Sequence, residues 1–317
     1  MKKVNNLFIS NGFEPFEREW KECKNNNDFF CMYDRNLFTR YLRRLLSRFR
    51  VFDKFYLSKL QKKINENNYK YLIILDSVLT EKYLLYIKSQ NPEITIIYFF
   101  SNNVSKKHNI NMIKDTCSCV FSFDKNDCKK FGLIYSPMFL LSREKIISNQ
   151  KFDIFFCGLP KNRIKQLKKF KKLFDSKGFK SKIIIVEQNP FLRGLKNFFT
   201  KEDYSHPLSL HAFISEVSKS KVVLCILSDG QEGITGREAL AIYQRKKIIT
   251  TNTKIFDYID FIDYEENILV LNEKQKLENL SEFIKSPSKK SKISDGIETL
   301  FLENWAENLK EIAKNKI

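Results

Sequence analysis

Short apolar runs punctuate this chain at residues 6–10, 71–75, 94–100, 119–123, 152–157, 182–186, 222–227, 247–251 and 267–271. They are nearly continuous in Ile, Val, Leu and Phe instead of alternating with polar residues. A strand with one wet face alternates; a strand buried on both faces does not. Longer segments with helical spacing lie between them. Parallel strands need a crossover to connect them, usually a helix, so this alternation reads as βαβ units around parallel sheets.

The runs fall into two sets. Asn11-Gly12 follows the first strand of one set and Gly158 the first strand of the other. The 317 residues exceed one ordinary core and suit two domains of about 150 residues each. An apolar fraction of 43% supplies two such cores. The expected organisation is α/β: two doubly wound domains at 1–145 and 146–290, then a helical tail at 291–317 set to pack back on the first domain. The seam falls near 141–150, where the strand pattern restarts, and the polar stretch 286–294 reads as a linker.

Charge limits the partners. Lys+Arg number 56 against 37 Asp+Glu, a net charge of +19, which favours anionic partners: nucleic acid, an anionic membrane surface or a phosphorylated small molecule. Nucleic acid is the weakest of the three, since no zinc site, RNP motif or helix-turn-helix is legible and the charge is spread along the chain. Residues 35–50 carry six arginines and a single apolar stripe. This helix is either core-packed with a solvated basic face or interfacial on anionic lipid. Seven cysteines without a CxxC pair read as reduced core thiols. After Met1-Lys2-Lys3 come Asn5 and Asn6, too polar for a secretory leader. No run reaches the roughly 20 apolar residues a spanning helix needs. The expected setting is the cytoplasm, peripheral on the inner face of the membrane.

Three segments can carry chemistry, each after a strand of the second set. The first, FDIFFCGLPKNR at 152–163, runs a strand into Gly158 and places Lys161 and Arg163 at the start of a helix. Free N–H groups and a partial positive charge at a helix start suit phosphate, and arginine adds a two-pronged donor. The second, SDGQEGITGREAL at 228–240, puts Gly230, Gly233 and Gly236 among Gln231, Glu232, Thr235, Arg237 and Glu238. Such a loop brings bare backbone close to a ligand. The third, KKIITTN at 246–252, ends a strand on Asn252. Loops at the carboxyl ends of parallel strands are where doubly wound sheets bind ligands.

The order of these segments, with Tyr258 and the NILV run at 267–270 after them, resembles the CgeB-like and capsule or lipopolysaccharide assembly glycosyltransferases of bacteria. The resemblance extends over roughly 118–270, including VFSFDKNDC at 120–128. It implies a GT-B architecture: two Rossmann-like domains facing a cleft, the first serving the acceptor and the second a nucleotide-sugar donor. It implies no metal and no cofactor beyond that co-substrate. Transfer would be to a growing surface glycan or lipid-linked acceptor. Carried over residue by residue, the donor contacts are Gly158, Lys161, Arg163, Gln231, Thr235, Arg237, Glu238 and Asn252. One departure stands out. Many such enzymes carry E-x7-E, whereas here Glu232 and Glu238 are six apart and Gly230 stands eight before Glu238. That leaves open whether Glu238 contacts a ribose.

An inverting transferase needs a base for the acceptor hydroxyl, expected just past a first-domain strand. Glu14 and Asp76 both fit; a retaining enzyme would need neither. The rival readings are a nucleic-acid-binding protein and a catalytically inactive Rossmann-type partner subunit.

Overall fold

The structure, a computed structural model, describes residues 6–10, 27–31, 51–75, 81–106, 108–187, 190–199, 204–258, 264–271, 279–289 and 295–316. The chain divides into two compact units, Met1–Pro137 with Leu302–Ile317, and Met138–Phe301. Each is built on one parallel six-stranded sheet.

In the first unit the apolar runs become β1 (Asn6–Ser10), β3 (Tyr71–Leu75), β4 (Thr95–Phe100) and β5 (Cys119–Ser122). Two further strands, β2 (Asn27–Cys31) and β6 (Ile134–Tyr135), complete the order β2-β1-β3-β4-β5-β6. Phe8, Ile73, Ile97, Phe99 and Phe121 have no exposed surface, as strands covered on both faces require. The helices are α1 (Val51–Asn67), α2 (Glu81–Gln90), α3 (Ile110–Thr116) and α4 (Lys125–Phe131). The start of α4 is written locally. Asp124 caps it, accepting from the amides of Asn126 and Asp127 at 2.9 and 3.4 Å, and Gly132 ends it at φ 64°.

The second unit has β7 (Phe152–Gly158), β8 (Ser181–Val186), β9 (Tyr204–Ser205), β10 (Ser220–Cys225), β11 (Lys247–Thr250) and β12 (Ile268–Val270), in the order β12-β11-β10-β7-β8-β9. Its helices are α5 (Ile164–Ser176), α6 (Pro190–Phe199), α7 (Leu210–Ser218), α8 (Gly236–Tyr243) and α9 (Asn279–Lys285). Numbered from its own first strand and read from the β9 edge, this is the Rossmann order 3-2-1-4-5-6, with the winding direction reversing between β7 and β10. The core joins Ile154, Phe156, Leu167, Phe174, Val222, Leu224 and Ile249, all but fully buried.

The final helix α10 (Leu302–Lys314) belongs to the first unit. Trp305, 1% exposed, packs edge-on against Phe99 at 4.8 Å and donates its indole N–H to the carbonyl of Pro137 at 2.9 Å. The buried ring thus has its polar atom satisfied.

Three strands escape the sequence reading. β2 has only two adjacent aromatic residues in an Asn-rich stretch, and β6 and β9 are two residues long. The polar stretch that reads as a linker is anchored where it is described. Lys247 Nζ donates to the carbonyl and hydroxyl of Ser286, both at 2.8 Å, and Lys289 exchanges backbone and side-chain bonds with Asn267. A buried ammonium needs several acceptors, and this stretch supplies them.

Candidate functional site

The three chemistry-bearing segments follow β7, β10 and β11, which are consecutive neighbours in the second sheet. Gly158, Arg163, Arg237 and Asn252 are thereby brought to one sheet edge, at the carboxyl ends of the strands on either side of the winding reversal.

The two arginines are exchanged across that reversal. Arg163 stands at the start of α5, after β7, and its guanidinium reaches the carbonyl of Ile226 beyond β10, and that of Leu159 at 3.0 Å. Arg237 stands in the first turn of α8, after β10, and reaches back to the carbonyl of Cys157 on β7, from Nε at 3.1 Å and Nη2 at 2.7 Å. Each strand end is thus strapped by the arginine that follows the other. Both guanidinium carbons lie by the ring of Phe156, at 5.9 Å for Arg163 and 4.8 Å for Arg237. Phe156 is part of the site and is absent from the sequence-derived set; nothing in the run FDIFFC distinguishes it from its neighbours.

Gly158 is required sterically. A Cβ there would collide with Nη2 of Arg237. Because the obstructing atom ends a flexible side chain, Gly158→Ala should displace the Arg237 fork from Cys157 while leaving β7 in place. We expect the melting temperature to move by only a few degrees, the equivalent of about 1 kcal/mol, while anion binding at this edge weakens roughly tenfold as a charge-assisted contact is lost. Differential scanning fluorimetry paired with calorimetric titration separates the two.

Electrostatics make this edge hungry for negative charge. Among the described residues neither Arg163 nor Arg237 forms an ion pair with a carboxylate; their partners are carbonyls. Burial first, and then the charge of Arg237, bring the Arg163 guanidinium down from its ordinary range to about 10. It stays charged at neutral pH. Its Nε, and Oγ of Ser228 in the neighbouring loop, are buried polar atoms with no hydrogen-bond partner. The start of α5 has no side-chain cap, so its first amides face outward with the partial positive charge of the helix. The turn leading into it, Pro160 to Arg163, closes at 2.7 Å through Lys161 and Asn162 at φ 33° and 65°. Two consecutive non-glycine residues in the left-handed region cost on the order of 1 kcal/mol or more each, and such strain clusters at ligand sites. Lys161 stands exposed in this turn.

Thr235, Glu238 and Asn252 also tie the loops of this edge together. Thr235 caps α8 by accepting from the Glu238 amide at 3.3 Å. Glu238 returns the bond, its Oε2 accepting from the Thr235 amide at 2.8 Å and hydroxyl at 3.1 Å, while Oε1 accepts from Thr250 on β11 at 2.7 Å. The Glu238 carboxylate has no exposed surface, and both its oxygens are taken by Thr235 and Thr250. Asn252, 1% exposed, donates from Nδ2 to the carbonyl of Glu232 at 2.8 Å and so ties the glycine-rich loop to the end of β11. That loop turns at Gly230, φ 73°, with the Gln231 amide bonded to Ser228 O at 3.1 Å. Glu14, Asp76 and the arginine-rich stretch 35–50 lie outside the described residues.

No protein-family model matches the sequence, and no curated protein matches it. Solved structures match over the whole chain. Sucrose-phosphate synthase from Thermosynechococcus elongatus aligns with a TM-score of 0.57 at 10% identity, covering 98% of this chain and 97% of that one. The UDP-GlcNAc 2-epimerase of Methanocaldococcus jannaschii, solved with UDP-GlcNAc and UDP, aligns with a TM-score of 0.50 at 11% identity, covering 98% and 99%. At such identities the likeness is one of fold. The chain has the two-Rossmann-domain GT-B fold.

Proposed function

We propose that the protein is a glycosyltransferase that moves a sugar from a nucleotide-sugar donor, held by the second unit, to a growing glycan or lipid-linked acceptor of the cell surface. The observation that carries this reading is the pair of guanidiniums at the winding reversal, held on backbone carbonyls without a carboxylate partner. A nucleoside diphosphate is a dianionic leaving group or more. Two fixed cations and an uncapped helix start stabilise the charge that develops as it departs, which is the task a divalent metal performs elsewhere. We therefore read the reaction as independent of metal, with the donor as co-substrate. Donor contacts fall to Arg237, Arg163, Lys161, Gln231 and Thr235, with Gly158, Glu238 and Asn252 shaping the edge.

The acceptor side rests on the first sheet. Its winding reverses between β1 and β3, and Glu14 and Asp76 follow these two strands in the chain. Either carboxylate is suited to take the acceptor proton in an inverting transfer.

Thermal unfolding against UDP-, GDP-, CMP- and ADP-sugars tests the reading. We expect one nucleotide class to raise the midpoint, since a ligand at 100 times its dissociation constant adds about 2.7 kcal/mol, and that donor to be consumed when a glycan acceptor is supplied. A flat response to every nucleotide sugar, with salt-dependent binding to random DNA instead, would move the assignment to a nucleic-acid partner. Stabilisation with no turnover for any acceptor would leave an inactive Rossmann subunit.

A further inference from the structure

Helix α6 is built inside out. Four of the nine large apolar side chains that are well exposed among the described residues sit on its ten positions. Phe191 is 72% exposed, Leu192 41%, Leu195 38% and Phe198 82%. Phe191, Gly194, Leu195 and Phe198 share one face by their spacing of three and four. The cationic residues turn the other way: between Phe191 and Phe198, Arg193 and Lys196 are the two that are partly covered. Lys196 pairs with Glu187 at the end of β8 and lies over the ring of Tyr204 at 5.0 Å. Asn197 clamps Tyr204 of β9 by both its groups, accepting from the amide at 2.7 Å and donating to the carbonyl at 3.1 Å. Polar bonds thus fix the helix to the sheet with its apolar side facing water. That is the reverse of an ordinary surface helix and places an apolar face where a partner would cover it.

We infer that α6 is a membrane-contacting wedge, and that its partner is the surface of an anionic bilayer. Charge complementarity selects the lipid. α6 contains no acid. The strands β7, β8 and β9 are successive parallel neighbours, so right-handed crossovers put α5 and α6 on the same side of the sheet. The solvent side of α5 exposes Lys165, Lys168, Lys169, Lys171 and Lys172 against the single acid Asp175. An apolar helix face beside a lysine-covered helix matches the way an interfacial helix seats at the headgroup boundary. Exposed phenylalanines on such a helix insert at the boundary of headgroups and acyl chains. No helix among the described residues is long and apolar enough to cross a membrane, so this contact is peripheral.

Gly194 offers a clean test. A Cβ there meets nothing within 4 Å, so Gly194→Glu adds charge to the middle of the face without crowding it. We expect the wild-type protein to float with vesicles of phosphatidylcholine containing roughly 30% phosphatidylglycerol, and not with phosphatidylcholine alone. Gly194→Glu, and separately the pair Phe191→Ser with Phe198→Ser, should each lower the vesicle partition coefficient by about tenfold or more, with circular dichroism unchanged. In a Phe198→Trp variant, brominated lipid should quench the added emission. Vesicle binding that survives both α6 variants would locate the contact elsewhere in the chain and overturn the assignment. So would absence of wild-type binding, or a dimer in sedimentation that the serine pair dissolves without altering vesicle partition.

Discussion

Arg237→Ala is expected to weaken nucleotide-sugar binding by roughly 10- to 100-fold, the loss of a charge-assisted fork, with little change in the folded fraction. The side chain is only half-buried, and its bonds run to a single carbonyl, that of Cys157. Removing it strips one carbonyl of its donor. Arg237→Lys restores the charge without the planar two-pronged geometry and should recover only part of the affinity. Arg163→Ala makes the contrast. Arg163 is 9% exposed and joins Ile226 to Leu159, so its removal strips two carbonyls of their donor and should lower the melting temperature as well as the affinity. Calorimetric titration with the stabilising nucleotide, beside a thermal melt, checks both. Equal and full affinity in Arg237→Ala would remove this edge from donor binding.

The largest effect on stability is expected at Glu238. Glu238→Ala opens the capping box at the start of α8. It also leaves the Thr235 amide and the Thr250 hydroxyl without their buried acceptor, at about 1–3 kcal/mol for each unsatisfied group. A loss of about 3–4 kcal/mol, or on the order of 10 °C in melting temperature, should follow. Glu238→Gln keeps the shape and should cost far less. The two differ in their pH dependence. Burial is the main influence on the Glu238 carboxyl and raises it above its ordinary value of 4.5, although bonds from Thr235 and Thr250 oppose the shift. A raised acid binds its proton more tightly when folded, so its contribution is fully present below 4.5 and is lost as pH rises through the folded value. The wild type should therefore lose stability over that range and Glu238→Gln should show a shallower slope. Denaturant melts between acid and neutral pH measure it. Parallel slopes for the two proteins would mean that Glu238 does not titrate between the folded and unfolded states.

Most of the fold was legible because strands covered on both faces have no choice but to be apolar throughout. All nine runs lie on strands of the two sheets. What stayed hidden was short or composite. β2 has two phenylalanines among Asn and Asp, a pattern that sheet membership stabilises and that propensity does not announce. At the site, the residues after β7, β10 and β11 were legible as polar and glycine-bearing strand ends. Their division of labour was not. That Gly158 makes room for Arg237 and that Arg163 is a strap depend on groups meeting across 63 to 80 residues of chain, and the hold on Glu238 depends on Thr250, 12 residues further on. α6 was missed for a different reason. Its spacing is that of any amphipathic helix, and only burial tells which face is turned outward.

The reciprocal strapping at the winding reversal has a kinetic consequence. Arg237 and its acceptor Cys157 are 80 residues apart, and β7 meets β10 only after two complete crossovers have been laid down beside it. Non-local pairings of this kind form late and slowly. The anion edge is thus a product of the last stage of assembly, not of any local segment. Recovery of nucleotide binding during refolding should trail the return of helical signal, and the lag would time the closing of the sheet.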